Sequence, residues 1–345
     1  MTREQLRGTI QTVLGPIAPA ELGPTLMHEH LLCDVTPPRM AAMNVPWPEI
    51  TVENFHDIIY GRVPHAPSYK MMIPEVITEE IAKFRAAGGR AIVELTCGGI
   101  KPNPEGLAEI ARKTDTQIIM GCGYYVEEYQ TAETFGRGVD DFAQEMIGQV
   151  LDGAWGTEVR AGIIGEIGCQ SPWTDHEKKV MRAAITAQQA TGVAINVHPG
   201  RHPDQPQEAA KFIRAHGGDT TRVVISHIDR TVFDDDRLLR LADTGVVLEF
   251  DLFGREMTFY SASDIDMPND GARLKLLRML VDHGHLDRIA ISHDICTCTR
   301  LTKFGGHGYA HIFKNVLPLM RGRGFTETEI NTIMVQTPRR LLTIV

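Results

Sequence analysis

Apolar residues fall in short blocks along this chain rather than in a clean two-residue alternation. Eight of these blocks, at about 25–32, 90–96, 117–124, 161–167, 193–198, 222–228, 246–252 and 288–294, are rich in Val, Ile and Leu. Such runs read as strands covered on both faces, as in a parallel sheet. Between them the apolar positions recur with helical spacing over Glu75–Ala87, Pro104–Lys113, Thr174–Thr191, Pro206–His216, Asp234–Asp243 and Gly271–His283. Asp or Thr near the helix starts, and Gly88, Gly192, Gly217 and Gly245 near the ends, supply the cap signals. Strand and helix repeated in this way predict an α/β fold, a (β/α)8 TIM barrel. Residues 1–24, with Gly15-Pro16 and Gly23-Pro24, read as a short N-terminal hairpin closing the barrel bottom. Residues 33–74, rich in Pro, Met and aromatics, read as a long excursion on the mouth side after the first strand. No Gly/Ser linker divides the chain, so residues 1–345 read as a single domain. Barrels of this kind run at or above about 250 residues as one unit.

Composition narrows the function classes. The chain is 43% hydrophobic and 23% charged, with a net charge of −9 and no basic run, which weighs against a nucleic-acid partner. Its apolar runs fall far short of the ~18 residues of a membrane span. The start, Met1-Thr2-Arg3-Glu4-Gln5-Leu6-Arg7, has no apolar core of a secretory signal. Six scattered Cys, most of them in or beside predicted strands, suit reduced thiols in a cytoplasmic protein.

Five of the strand-like runs end in residues that bind metals: His28 and His30, Glu166, His198, His227 and Asp294. A parallel barrel gathers the C-terminal ends of its strands around one mouth. A single catalytic zinc takes three protein ligands, so six candidates suit two metals held about 3.5–4 Å apart. His28 and His30, two apart on a strand, point to one face. His283-Gly284-His285 has the same spacing but sits where a helix ends, and His and Gly suit that end for structural reasons. Glu166, flanked by Gly165 in an apolar strand, is costly to bury alone, and a bridging place between two cations removes that cost. Asp294 is read as a metal ligand that also accepts a proton from the attacking water, and neighbouring His293 as a supporting residue. His and carboxylate donors suit Zn2+ first, with Mn2+, Co2+ or Fe2+ also fitting. Neither a Gly-x-Ser-x-Gly elbow nor a phosphate loop is present in the right context.

Several segments together resemble the phosphotriesterase family of the amidohydrolase superfamily, specifically its phosphotriesterase-related branch. They are Thr25-Leu26-Met27-His28-Glu29-His30-Leu31, Gly162-Ile163-Ile164-Gly165-Glu166-Ile167-Gly168-Cys169, Val197-His198-Pro199-Gly200-Arg201, Ser226-His227-Ile228-Asp229-Arg230-Thr231, Asp251-Leu252-Phe253-Gly254, Asp264-Ile265-Asp266-Met267-Pro268, His293-Asp294-Ile295 and Gly305-Gly306-His307-Gly308-Tyr309. The resemblance covers essentially the whole chain. It implies a binuclear centre, most often zinc, with His28, His30 and Asp294 at the more buried metal and His198 and His227 at the more exposed one. Glu166 would bridge both. Organophosphate-degrading members use a carboxylated Lys on the fourth strand, and no Lys lies between Val159 and Glu177 here. The resemblance therefore implies weak phosphotriesterase activity at most.

Substrate contacts are sought in the loops after the strands. Tyr124 and Tyr125 end the third strand. Arg230 follows His227, and Arg300 and Lys303 lie near His307 after the eighth strand. Glu249 and Asp251 are read as anchors for a polar substrate group or as a buttress for Arg230, and Cys296 and Cys298 as loop packing. The expectation is a two-metal hydrolase in which activated water attacks a C=O of a small-molecule substrate, best the amide of a small N-acylated acid. A lactone or ester comes next, then a slow organophosphate activity, then a barrel that binds a ligand without catalysis. A homodimer is implied by the resemblance alone.

Overall fold

The computed structural model describes all 345 residues. Eight parallel strands follow one another in chain order around a barrel: β3 (Thr25–Glu29), β4 (Ala91–Glu94), β5 (Gln117–Cys122), β6 (Ile163–Gly168), β7 (Ile195–His198), β8 (Val223–Ile225), β9 (Val247–Phe250) and β10 (Ile289–Ile291). The seam between the last strand and the first is closed at the mouth, where the Asp294 N–H donates to the His28 carbonyl at 3.1 Å. The predicted hairpin is present as β1 (Ile10–Thr12) paired antiparallel with β2 (Gly15–Ile17). It lies against the barrel bottom: Val13 N–H donates to Ile118 O at 2.9 Å. A Cβ on Gly162 would meet the Gln11 carbonyl oxygen at 2.3 Å, so only glycine admits the hairpin there.

Two shells of apolar packing hold the barrel. Met27, Val93, Ile119, Ile163, Ala194, Val224, Val247 and Ala290 come from all eight strands or their immediate starts, and they fill the interior together with Ile10, Leu22, Leu341 and Leu342. The hairpin region and the C-terminal helix Thr337–Leu342 thus plug the bottom. A second cluster of 69 residues packs strands against the surrounding helices. Those helices are Pro74–Ala86, Pro104–Thr114, Asp175–Thr191, Gln205–Ala215, Asp235–Ala242 and Asp270–Asp282, within a residue or two of the sequence pattern, and Val139–Leu151, which the pattern did not single out. No helix is long and apolar enough to cross a membrane.

Every strand is shorter than its apolar run, β8 and β10 most of all. β8 and β10 stop at Ile225 and Ile291, and the chain then passes through His227 (φ 54°) and Asp294 (φ 51°) in the left-handed region. Such backbone leaves the strand ladder, and side chains of the His and Asp type enter it most readily. The excursion after β3 lies on the mouth side, as expected. Its Tyr60 stacks on Phe259 of the loop after β9 at 5.3 Å, and its Pro67 carbonyl meets Cys298 Sγ of the loop after β10 at 3.9 Å.

Leu22 is fully buried in the bottom plug. Leu22→Ala is expected to cost about 2–5 kcal/mol, read as a lower urea midpoint, with metal content unchanged. An unshifted midpoint would show that the plug contributes little to the core.

Candidate metal centre

The mouth gathers six side chains from five strand ends. His28 lies in β3 and His30 one residue past it. Glu166 lies in β6, and His198 ends β7. His227 and Asp294 follow β8 and β10. Glu166 is the hub. Its Oε2 lies 2.7 Å from His198 Nδ1, 3.3 Å from His227 Nε2 and 3.6 Å from His28 Nε2, and its Oε1 lies 3.3 Å from His30 Nε2. Asp294 Oδ1 closes the other side, 3.4 Å from His30 Nε2 and 3.7 Å from His28 Nε2. Two trios, His28–His30–Asp294 and His28–Glu166–His227, have ligand atoms all within 4.8 Å of one another.

A layer of polar side chains behind this cluster sets the imidazole tautomers. The Thr96 hydroxyl donates to Glu94 at 2.5 Å, so its oxygen receives His30 Nδ1–H at 3.0 Å. His227 Nδ1–H donates to Asp251 at 2.8 Å, and the same carboxylate accepts the His227 backbone N–H at 2.9 Å. Glu249 accepts from Asn196 and Ser226, each at 2.9 Å, and lies 3.3 Å from His28 Nδ1. With protons on Nδ1, the Nε2 atoms of His28, His30 and His227 face the cluster, and an Nε2 without a proton is the state that metal ligation needs. Glu29 clamps the Asp294 turn by accepting the N–H groups of His293 (2.9 Å) and Ile295 (3.0 Å) on either side of it. His293 supports that clamp from Nδ1 (2.7 Å) and faces away from the cluster.

The donor set fits divalent cations. His28 Nε2 is buried without a hydrogen-bond partner, and the carboxylate oxygens it faces lie just outside hydrogen-bonding range. Burial pushes His198 down to about 4. Burial, then the charge of Arg230, also holds His227 well below the usual imidazole range. Both rings are therefore neutral near pH 7. For His30, burial opposes the charge, but hydrogen bonds to Asp294 and Glu166 raise it to about 9. Burial would raise the Glu166 and Asp294 carboxyls, yet the surrounding imidazoles hold both well below the usual carboxylate range. The site is thus a dense set of carboxylates compensated by histidine charge, which a cation replaces on binding.

At the mouth, the Tyr125 ring sits 4.9 Å from the His198 ring. Tyr124 does not reach the mouth. Its hydroxyl donates to Glu145 at 2.8 Å, under the helix Val139–Leu151, because successive residues at a strand end point to opposite faces. Arg230 is buried with Nη2 3.2 Å from His198 Nε2 and 3.2 Å from the Pro199 carbonyl. Glu249 and Asp251 do not buttress it: Glu249 Oε2 faces His28, Asp251 faces His227, and neither carboxylate bonds to Arg230. Arg300 donates to the carbonyls of Asp294 (2.6 Å) and His293 and so pins the Asp294 turn. His307 is half-buried against Gly254, and its Nε2 receives Arg300 Nε–H at 3.3 Å. Lys303 stands exposed, with its backbone N–H on Glu80. His283 caps its helix by donating to Met279 O at 2.8 Å, as the sequence contrast implied. All six Cys are free.

Sequence reasoning missed Arg201, Arg255 and Tyr260. Both guanidiniums lie over the Tyr260 ring, at 5.8 and 4.8 Å from its centroid. Arg201 follows the His198-Pro199-Gly200 motif, and that adjacency was the one available signal; Arg255 and Tyr260 lie in an irregular loop after β9 with no periodicity to read.

The sequence profile of the phosphotriesterase family matches residues 8–342. The N-acetyltaurine hydrolase of Xenopus tropicalis is 41% identical over 346 residues, which cover 98% of this chain and 99% of the relative. A resiniferatoxin-binding protein from Rhodobacter sphaeroides superimposes with a TM-score of 0.92 at 34% identity, covering 98% of this chain and 96% of that one. The phosphotriesterase homology protein from Escherichia coli, solved with phosphate in its active site, gives a TM-score of 0.77 at 27% identity over 93% and 99% of the two chains.

Two outcomes follow from this geometry. Glu249→Gln is expected to weaken metal binding about 10–100-fold in a chelator competition, because it removes the negative charge behind His28 Nδ1. Metal uptake by metal-free protein is expected to release protons between pH 7 and 9, since a cation displaces the one held on His30. Affinity should therefore fall as pH falls through that window, and a titration that releases no protons would contradict the charge assignment.

Proposed function

The chain belongs to the phosphotriesterase family, and from that premise we propose that it hydrolyses the amide bond of a small N-acylated acid at a two-metal centre. The observation that carries this reading is the 41% identity, over nearly the full length of both chains, to N-acetyltaurine hydrolase. Chemistry at the mouth supports it. Arg201, Arg230, Arg255 and Arg300 cluster there, and none is hydrogen-bonded to a carboxylate. A Glu rather than a Lys at position 166 points the same way, away from the triesterases that bridge their metals with a modified lysine.

His28, His30 and Asp294 would hold one cation and His198 and His227 the other, with Glu166 shared between them. Zinc is the first choice for such donors, and Mn2+, Co2+ and Fe2+ also suit them. Two bound cations would supply a polarised carbonyl and a water acidified to near neutrality. The chain's own residues do the rest. Glu166 and Asp294 stay ionised in the buried site, and Asp294, whose Oδ1 closes the cluster beside His28 and His30, would take the proton of the attacking water and pass it to the departing amine. Glu29 and Arg300 hold the Asp294 turn still during that transfer. Tyr125, packed on His198, narrows the approach to the carbonyl. Arg230, beside His198, adds positive charge where the oxyanion develops.

The reading is tested with zinc-loaded protein on an N-acyl aminosulfonic acid, an N-acyl amino acid, a γ-lactone and an aryl phosphotriester, each with and without chelator. Turnover is expected to be fastest on an N-acyl acid and to be abolished by chelator; a lactone or triester that outruns both amides would overturn it. Glu166→Gln is expected to lose one or both metals and most of the activity, and near-full activity in that variant would remove Glu166 from the site.

A further inference from the structure

Arg255 stands apart from the other arginines of the mouth: Arg201, Arg230 and Arg300 each donate side-chain hydrogen bonds within the protein, and the half-buried Arg255 donates none. Its side-chain Nε is buried without a hydrogen-bond partner, and no carboxylate pairs with its guanidinium. Arg273, which is fully buried nearby, shows the usual solution: its Nε donates to Asp229 at 2.6 Å and its Nη1 to Asp270 at 3.0 Å. An arginine cannot shed its proton near neutrality, so an Nε–H shut away from water without an acceptor or a counter-charge is costly. Nearby cations worsen the position of Arg255. Burial and the charge of Arg300 both disfavour its protonated form, while the carboxylate of Asp294 acts on it from the metal cluster. Arg300 itself is committed to the His293 and Asp294 carbonyls, and so it is not free to receive a ligand. The ring of Tyr260 supports the Arg255 guanidinium at 4.8 Å from its centroid, and the Tyr260 hydroxyl accepts Arg201 Nε–H at 3.2 Å.

We propose that Arg255 binds the acid group of the substrate, with Tyr260 and Arg201 holding it in place, and that this contact selects anionic over neutral N-acyl amines. The nature of the substrate rests on the amide-hydrolase reading above; the need of Arg255 for an anion does not. A sulfonate or a carboxylate supplies what the guanidinium lacks: oxygens that accept its N–H groups and a negative charge. Arg255 comes from the loop after β9 and is none of the six metal-binding candidates, so its contact bears on substrate affinity more than on the chemical step.

The test uses metal-loaded protein and the variants Arg255→Met and Arg255→Lys. Calorimetry measures binding of ethanesulfonate and of propionate. Steady-state kinetics compares an N-acyl aminosulfonic acid with a neutral N-acyl ethanolamine. In Arg255→Met, the KM for the anionic amide is expected to rise about 10–100-fold with kcat little changed, the KM for the neutral amide to stay put, and binding of the preferred small acid to be lost. Arg255→Lys is expected to recover part of both. The tighter of the two acids identifies the acid group. Equal KM changes for charged and neutral amides, or small-acid binding that is the same in wild type and Arg255→Met, would overturn the proposal. If wild type cleaves no N-acyl acid, the amide reading falls, and the calorimetry still decides the role of Arg255.

Discussion

One buried carboxylate organises this molecule's mouth. Glu166 lies within 3.6 Å of a nitrogen on each of four imidazoles that arrive from three other strand ends. An isolated carboxylate has no place in the interior of an apolar barrel, so its presence demands positive charge around it. Histidine protons meet that demand in the protein alone, and divalent cations meet it better, because they accept the lone pairs of the imidazoles as well as the oxygens. A second set of buried carboxylates turns this charge balance into geometry. Glu249 and Asp251 orient His28 and His227, Glu94 orients His30 through Thr96, and Glu29 orients the Asp294 turn. Each interaction fixes which nitrogen carries a proton, and so which one is free to ligate.

The barrel makes that arrangement affordable in conformational terms. Packing at the bottom is apolar and continuous, from the hairpin through the interior layer to the C-terminal helix. The mouth carries the irregularities. Pairing shifts register between Leu26 and Glu29 on β3 and between Ile164 and Ile167 on β6, and two of the five non-glycine residues with positive φ are His227 and Asp294. Left-handed backbone at such residues persists only where the surroundings over-determine it. Here the backbone N–H of His227 is held by Asp251, and those flanking Asp294 are held by Glu29. Strain and site coincide because aiming a ligand into the mouth and continuing the strand ladder are incompatible.

Much of this was legible in the chain. Val/Ile/Leu blocks marked the strands because both faces of a barrel strand are buried, and the six candidate ligands stood at the ends of those blocks. Boundaries were less legible: β8 and β10 stop early because a polar turn follows the apolar run, and periodicity cannot see a sign change in φ. Tyr124 shows the limit of adjacency, since it neighbours Tyr125 yet points to the helix layer. Arg300 and Arg255 show the limit of composition. Both are basic residues in mouth loops, but one is consumed by backbone carbonyls and the other is left unpaired, and only the fold distinguishes them.

The central claim is that one carboxylate is shared by two cations. Paramagnetic resonance of the protein loaded with Mn2+ tests it most directly, together with a count of metal per chain. Two ions per chain with an exchange-coupled spectrum, replaced in Glu166→Gln by the spectrum of isolated ions or by loss of an ion, is the predicted result. A single ion per chain, or two ions that never couple in the wild type, would contradict it.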